Sequence, residues 1–525
     1  MSNQNIYSRE AILSQIDANE EWDVIVVGGG ATGLGTALDS ATRGYKTLLL
    51  EMADYAKGTS SKSTKLVHGG VRYLAQGDID LVKEALHERG LLAKNAPHLV
   101  KNQSFIIPNY KWWEGMYYTI GLKVYDFLAG KLSLGKSKHI KTKETVSRLS
   151  TLKQEKLKGG VVYQDGQFDD SRLAINVAQS CVEEGATLLN YFKVNGLEKD
   201  EQGNISGVKA TDTETNTQYT FKGKTVVNAT GIFTDEIIQM DNPEARKMVR
   251  PSQGVHLVFD KSFLPGNDAI MIPKTDDGRV LFAVPWHDKV IVGTTDTMLD
   301  EHSLEPIAQE QEIEFILKTF NKYVAKQATR DDVLSIFAGL RPLAAPKDNS
   351  EKSKEISRSH KIIVSKAGLV TITGGKWTTF RRMAQDTVNK IISLGKLPKK
   401  ECKTEQFALH GAQPMTNLEN HLYIYGSDKE KIENLMKQEP NLAEKLNPNL
   451  PFTKAEVIWA ARYEMARTID DVLSRRVRAL FLNAKAAIES APVVAELLAQ
   501  ELGKDENWKK NQVEAFNKIA KNYTI

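Results

Sequence analysis

Apolar residues in this chain cluster in short runs, and the earliest of them frame the rest. Val24, Ile25, Val26 and Val27 form a β-branched run, as expected of a strand buried on both faces. Leu34, Ala37, Leu38 and Ala41 then recur at helical spacing, Gly44 stops the helix, and Thr47 to Leu50 is a second apolar run closed by Glu51. Ahead of them, residues 8–20 predict a short leading helix capped by Ser8. Residues 169–184 read as a helix and 187–192 as a strand, followed by a polar β excursion that turns at 200–204 and a strand within 224–231. Four more strands are predicted over 254–259, 269–272, 279–284 and 289–292. A helix over 308–323 and a charged surface loop over 347–354 come next, then an apolar run at 368–373 and a helix over 380–394. Beyond residue 398 helical patterns dominate, broken by Pro440, Pro448 and Pro451.

Residues 109–138 have a pattern of their own. Trp113, Tyr117, Ile120, Val124 and Phe127 fall on one helical face, and Lys111, Lys123, Lys131, Lys136 and Lys138 outnumber Glu114 and Asp126. Two readings fit: a core helix, or an amphipathic helix lying in a membrane interface with its lysines reaching water.

Composition narrows the class. A chain of 525 residues exceeds one hydrophobic core, so two or three domains are expected. The net charge of +4 is the small difference between 70 basic and 66 acidic residues, which gives no argument for nucleic acid. Cys181 and Cys402 lie far apart and match no metal or redox spacing, as reduced, cytoplasmic surroundings would allow. The polar, acidic start carries no signal-peptide core. No apolar run reaches the roughly 18 residues of a spanning helix. No metal-ligand pattern is present, and no internal repeat.

Gly28, Gly30 and Gly33 follow the first strand at G-x-G-x-x-G spacing. Gly28 permits a tight turn, Gly30 lets a pyrophosphate approach the backbone, and Gly33 lets helix and strand pack closely. The helix N-terminus faces the anion, and Glu51 at the tip of the second strand can accept hydrogen bonds from a ribose. A dinucleotide site follows, with NAD and FAD both open. The run Gly58-Thr59-Ser60-Ser61-Lys62-Ser63-Thr64-Lys65 adds short hydroxyls beside the expected pyrophosphate, or is simply a polar loop.

That run leads into Lys65-Leu66-Val67-His68-Gly69-Gly70-Val71-Arg72-Tyr73-Leu74. Further landmarks are Ala96-Pro97-His98, Phe168-Asp169-Asp170-Ser171-Arg172-Leu173, Val227-Asn228-Ala229-Thr230-Gly231 and Gly293-Thr294-Thr295-Asp296. Gly339-Leu340-Arg341-Pro342-Leu343 and Thr373-Gly374-Gly375-Lys376-Trp377-Thr378-Thr379 complete the series. Through these motifs the chain resembles the FAD-dependent glycerol-3-phosphate dehydrogenases, membrane-associated flavoenzymes with an amino-acid-oxidase-like fold. The resemblance implies an α/β fold: a two-part Rossmann-like FAD-binding domain, a mixed β-sheet substrate domain and an α-helical C-terminal domain. It divides the chain into a discontinuous FAD-binding domain (20–100, 159–235 and 341–395), a substrate and membrane-associating cap (101–158 and 236–340) and a C-terminal helical domain (396–525). The mixed charges of that last domain, around Arg475 and Arg476, read as intramolecular ion pairs.

The resemblance also implies the chemistry: sn-glycerol 3-phosphate oxidised at C2 to dihydroxyacetone phosphate by hydride transfer to FAD, with electrons passed to a membrane quinone. A phosphate carries roughly −1.5 to −2 charges near neutral pH and suits arginine forks. Matched by motif, its binders are Arg72, Arg341 and Arg358, with Tyr73 as hydroxyl donor. His256 is the expected proton acceptor, and Lys376 supports the alkoxide and the reduced flavin, although these two roles are interchangeable at this level. Arg341 completes the catalytic set. The expected FAD contacts are Gly28, Gly30, Gly33, Glu51, Thr59, Ser60, Ser61, Lys65, His68, Gly69, Ala229, Gly231, Gly374, Gly375, Lys376, Trp377 and Thr378. Residues 109–138 would dock on the membrane surface, placing the protein in the cytoplasm on the inner face of the cell membrane. A homodimer is implied by the resemblance alone. The alternatives are an oxidase that passes electrons to dioxygen and a non-catalytic flavin-binding scaffold on the membrane.

Overall fold

The first apolar run does become a strand at the centre of a sheet. Val24–Val27 pairs in parallel with Thr47–Leu50 on one side and with Val226–Asn228 on the other, every residue buried. In this computed structural model, which describes residues 5–16, 21–75, 77–276, 278–345, 360–415 and 418–525 (backbone only at Gln15, Arg72, Ala75 and Ala344), the sheet has six strands. Their order is Lys361–Val364, Val370–Thr373, Val226–Asn228, Val24–Val27, Thr47–Leu50 and Thr187–Leu189, all parallel but the first. The helix Ala31–Thr42 packs against both Asp170–Glu183 and Phe380–Ser393. Asp169 caps the former by accepting from the Arg172 N–H at 3.0 Å. The polar β excursion is an antiparallel meander, Phe192–Lys199, Ile205–Asp212 and Thr217–Gly223. The leading helix spans Arg9–Gln15 under the Ser8 cap, while residues 17–20 and the predicted loop at 347–354 lie outside the described residues.

A second, ten-stranded mixed sheet forms the substrate side. Val249–Asp260 is its spine, paired antiparallel with Val333–Ala344 and with Lys289–Gly293. Two of the sequence-based boundaries move here. Gly159–Gln167 was assigned to the FAD-binding part, but it pairs with Lys101–Asn109 along nine residues and belongs to the substrate sheet. Residues 341–344 likewise finish a strand of that sheet. Both shifts have one cause. Strand pairing is long-range, and a run of alternating or apolar residues carries no record of its partner.

The helix Glu114–Ala129 lies on the outside of the substrate sheet. Leu122, Tyr125 and Ala129 face inward, and the Tyr125 hydroxyl donates to Asp165 Oδ2 at 2.7 Å. The opposite, apolar face is open. Trp112 is 82% exposed, Phe127 83%, Met116 64%, and Tyr117 and Ile120 60% each. Trp113 and Val124 complete the patch. A core helix would bury this stripe, so the core reading of residues 109–138 does not hold.

The C-terminal domain, whose helices include Lys454–Tyr463, Ala484–Leu502 and Glu506–Ala520, is tied to the cofactor unit by buried ion pairs from residues 464–478. Arg475 and Arg476 both reach Asp54, just after the strand that ends at Leu50. Arg172 pairs with Glu464, and Arg478 donates to Asp170 Oδ1 at 3.0 Å. The charges near Arg475 are thus intramolecular pairs. A further tie is His410, whose Nδ1 lies 2.7 Å from Glu183 and Nε2 2.6 Å from Asp428. Burial pushes its pKa down, but the two carboxylates outweigh that and raise it to about 9. A group with a raised folded pKa stabilises fully below its unfolded pKa and loses that contribution as pH climbs through the folded one. His410→Gln should therefore cost roughly 3 kcal/mol below pH 6.5, and the deficit against wild type should vanish as pH rises through about 9. Urea midpoints at a series of pH values check this, and a pH-independent deficit would contradict it.

Candidate active site

Two abutting cavities lie between the sheets. The first is a long cleft over the carboxyl ends of the parallel strands, where Gly28, Gly30, Ala31 and the tip residue Glu51 form one end. Ala229 and Gly231 line it from the strand Val226–Asn228, and Thr59 and Ser60 from the hydroxyl-rich loop. Gly374, Gly375, Lys376 and Trp377 close its far end and form part of the wall shared with the second cavity. Gly33 touches no cavity. Its place is structural, since a Cβ there would overlap the Gly28 carbonyl oxygen and push the helix off the strand. Glu51 is half-buried, and its carboxylate accepts from the Gly29 N–H at 2.5 Å and the Ala53 N–H at 2.9 Å. Burial raises its pKa, and these two hydrogen bonds oppose the shift. A cleft lined by a helix N-terminus, a ribose-suited acid and a glycine turn fits the groups that FAD presents. Ser60 Oγ accepts from the Ala31 N–H at 2.9 Å, and Trp377 Nε1 donates to the Ser60 carbonyl at 2.8 Å, which ties the two ends together.

The second cavity gathers the residues with acid–base and anion-binding character: His256, Arg341, Lys376 and Tyr73. The spine strand Val249–Asp260 brings His256 here, flat against Phe337 of the next strand with ring centroids 4.7 Å apart. Burial, then the nearby Lys65 and Arg341 charges, hold the His256 pKa well below the ordinary imidazole value, so the ring is neutral at neutral pH. Arg341 stands across the ladder from Ser252. Its guanidinium donates to the Gln253 and Thr295 carbonyls at 3.3 and 3.2 Å and lies 3.7 Å from Asp296. Gly254 makes room for it, because a Cβ there would overlap the guanidinium and the Thr294 hydroxyl. Lys376 Nζ sits 4.0 Å from the centre of the Tyr73 ring.

Several expected contacts fall elsewhere. Lys65 lines neither cavity. It has a left-handed backbone (φ +64°), and its Nζ donates to Asp170 Oδ2 and the Ser61 carbonyl, each at 2.7 Å, beneath the loop. Burial brings its pKa down to about 7 despite Asp170. Ser61 is buried and turned back toward the Lys57 and Gly58 carbonyls. Gly69 packs under Leu86 and Tyr125. None of these three lines either cavity. His68 and Thr378 line the second cavity instead of the first, joined by a hydrogen bond from the His68 N–H to the Thr378 hydroxyl at 3.2 Å. Arg72 lies in the short helix Val71–Ala75 with only its backbone described, and Arg358 lies outside the described residues. Thr64, Gly254, Arg279, Thr294 and Asp296 also line the second cavity, beyond the residues to which the motifs assign a role. Thr294 and Asp296 stand in a motif already noted, and Gly254 two residues before His256 was a readable signal of close approach.

Residues 23–381 match the family model described as FAD dependent oxidoreductase, and residues 369–509 match the C-terminal domain of alpha-glycerophosphate oxidase. The chain is 40% identical to a probable mitochondrial glycerol-3-phosphate dehydrogenase of Caenorhabditis elegans, over 94% of this chain and 73% of that one. It is 38% identical to the mitochondrial glycerol-3-phosphate dehydrogenase of Homo sapiens, over 98% and 75%. In structure it is similar to the glycerol-3-phosphate dehydrogenase of Bacillus halodurans complexed with FAD. The TM-score there is 0.80 at 29% identity, covering 99% of this chain and 98% of that one.

The cleft's dependence on close packing can be measured directly. Gly33→Ala should lower the bound flavin per purified chain by about tenfold or more, as overpacking of 1–3 kcal/mol at the cleft floor would do. Absorbance at the flavin band against protein concentration reads it, and a full complement of flavin would refute the packing role.

Proposed function

Since the chain belongs to the FAD-dependent glycerol-3-phosphate dehydrogenase family, we propose that it oxidises sn-glycerol 3-phosphate at C2 to dihydroxyacetone phosphate and delivers the electrons to a membrane quinone. It is an FAD-dependent oxidoreductase, and bound FAD supplies the hydride acceptor. The observation that carries the site assignment is the convergence of a neutral histidine, an arginine and a lysine on one cavity that shares a wall with the cofactor cleft. In this reading Arg341 holds the phosphate. Its hydrogen bonds to two carbonyls fix the fork before substrate arrives, so little ordering remains to be done. Tyr73 and Arg72 stand on the same short helix to complete the phosphate pocket, with Arg358 as the remaining expected contact. His256 takes the C2 hydroxyl proton, for which a neutral imidazole is required. Lys376, at the wall between the cavities, stabilises the developing oxyanion and the negative charge gained by the cofactor.

The acceptor belongs to the same proposal. The apolar face of Glu114–Ala129 supports docking on a membrane surface, where a quinone dissolves, and we place the protein peripherally on the inner face of the cell membrane. Among the described residues no helix is long and apolar enough to cross a membrane. Dioxygen is the competing acceptor.

Three outcomes test this. Under anaerobic conditions, glycerol 3-phosphate should bleach the oxidised flavin band, and a short-chain quinone should restore it faster than air does. Rapid recovery in air would assign an oxidase, and no bleaching would overturn the substrate. Arg341→Ala should raise KM for glycerol 3-phosphate by about 10- to 100-fold, as the loss of a charge-assisted contact worth 1.5–3 kcal/mol implies. An unchanged KM would remove Arg341 from the phosphate site. Replacing both Trp112 and Phe127 by Ser should weaken co-sedimentation with anionic vesicles by at least about tenfold, given ~1.5–3 kcal/mol for each buried aromatic, and leave dye-linked turnover in solution intact. Equal sedimentation would rule out this face as the docking surface.

A further inference from the structure

Thr64 is unused by the mechanism above, yet its hydroxyl oxygen lies 2.9 Å from His256 Nε2. The plane of that ring is set by its neighbours. It lies at 14° to Phe337, and on the paired strand a Cβ at Gly293 would overlap it. Sliding within that plane is a separate freedom. Nδ1 is buried and has no hydrogen-bond partner among the described residues, so Thr64 makes the one polar contact that fixes the ring's reach there.

Thr64 is itself held on both sides. The Ser63 N–H and hydroxyl donate to Asp170 Oδ2 at 3.1 and 2.7 Å, and Lys65 Nζ donates to the same oxygen. The left-handed backbone at Lys65 sends its side chain down into this cluster while Thr64 faces the cavity. From the C-terminal domain, Arg478 donates to Asp170 Oδ1 and to the Ser61 carbonyl, both at 3.0 Å. The loop that carries Thr64 is therefore clamped at Ser61, Ser63 and Lys65 by groups that touch neither cavity nor cofactor.

We propose that Thr64 is a positioning residue for the oxidation, its hydroxyl pinning the Nε2 edge of His256 so that the ring stands ready for the C2 hydroxyl proton, with the Asp170–Lys65–Arg478 clamp holding Thr64 in place. The proposal rests on His256 as the proton acceptor. With Nε2–H donated to Thr64 Oγ1, the lone pair of Nδ1 takes the C2 hydroxyl proton, and the ring then carries hydrogen on both nitrogens. A hydrogen bond to a charged donor is stronger than one to a neutral ring. The contact therefore gains strength as the proton arrives, which lowers the barrier and leaves substrate affinity unchanged.

The test compares Thr64→Val, which keeps the shape and removes the hydroxyl, with Thr64→Ser, which keeps the hydroxyl. In the flavin-loaded enzyme with a dye acceptor, Thr64→Val should lower kcat by about tenfold or more and leave KM within roughly threefold, the pattern of an interaction made in the transition state. Thr64→Ser should recover most of the lost rate. In a His256→Asn background, Thr64→Val should cost nothing further, because the two act as one unit. Flavin content and melting temperature show whether Thr64→Val is folded, and should it not be, Thr64→Cys takes its place as a small side chain that hydrogen-bonds poorly. A kcat within twofold of wild type for the valine variant, or losses that multiply in the double variant, would overturn the proposal. Full activity of His256→Asn alone would instead overturn the assignment of the base.

Discussion

The carboxylate of Asp170, wholly buried beneath the hydroxyl-rich loop, accepts from Lys65, Ser63 and Arg478, and these belong to segments far apart in the chain. A lone carboxylate in such a place would be driven to its neutral form. Here it lies against the Lys65 amine and the Arg478 guanidinium, which compensate its burial. The same logic repeats next door, where Asp54 carries both Arg475 and Arg476, and Asp470 and Asp471 share Arg475. Removing a carboxylate that serves two cations, as Asp54 serves Arg475 and Arg476, takes a partner from both, and breaking a buried pair costs about 3–5 kcal/mol. The C-terminal helices are therefore not an appendage. They supply Arg475, Arg476 and Arg478 to carboxylates of the cofactor-binding unit, and Glu464 to its Arg172.

The cluster also governs the site above it, because it sets where the serine-rich loop can lie. Ser60 and Thr59 reach the cofactor cleft from one side of that loop, and Thr64 reaches the imidazole from the other. Burial first, then the charges of Lys65 and Arg341, keeps the His256 ring neutral. Arg341 is kept from collapsing onto the histidine by its own partners, two carbonyls and Asp296. His256 and Arg341 are thus each held by hydrogen bonds to groups other than one another.

Much of the cofactor unit was legible because its signals are local. The glycine spacing, the runs at 24–27 and 47–50, the helix after Asp169 and the glycine turn at 374–375 each depend on neighbours a few residues away. What could not be read depends on direction or on distant partners. Lys65 was expected at the cofactor, and only its positive φ, invisible in the sequence, turns it under the loop. Ser61 and Thr64 look alike as hydroxyls in one run, yet one faces a backbone carbonyl and the other a histidine. The strand Gly159–Gln167 gives no hint that its partner is Lys101–Asn109. On the helix Glu114–Ala129, an apolar stripe reads the same whether protein or lipid covers it, and the open side was decided by tertiary packing.

The left-handed turn at Lys65 has a bearing on how this loop can vary between related chains. Positions 64 and 65 serve opposite compartments, one side chain to the cavity and the next to the buried charges. A conservative exchange at either position keeps that division. An inserted or deleted residue between Ser61 and Leu66 does not, since it would deliver a hydroxyl to the ion cluster and an ammonium to the imidazole. The loop thus tolerates only conservative exchange and is fixed in length, and its count of residues is as much a part of the active site as any side chain in it.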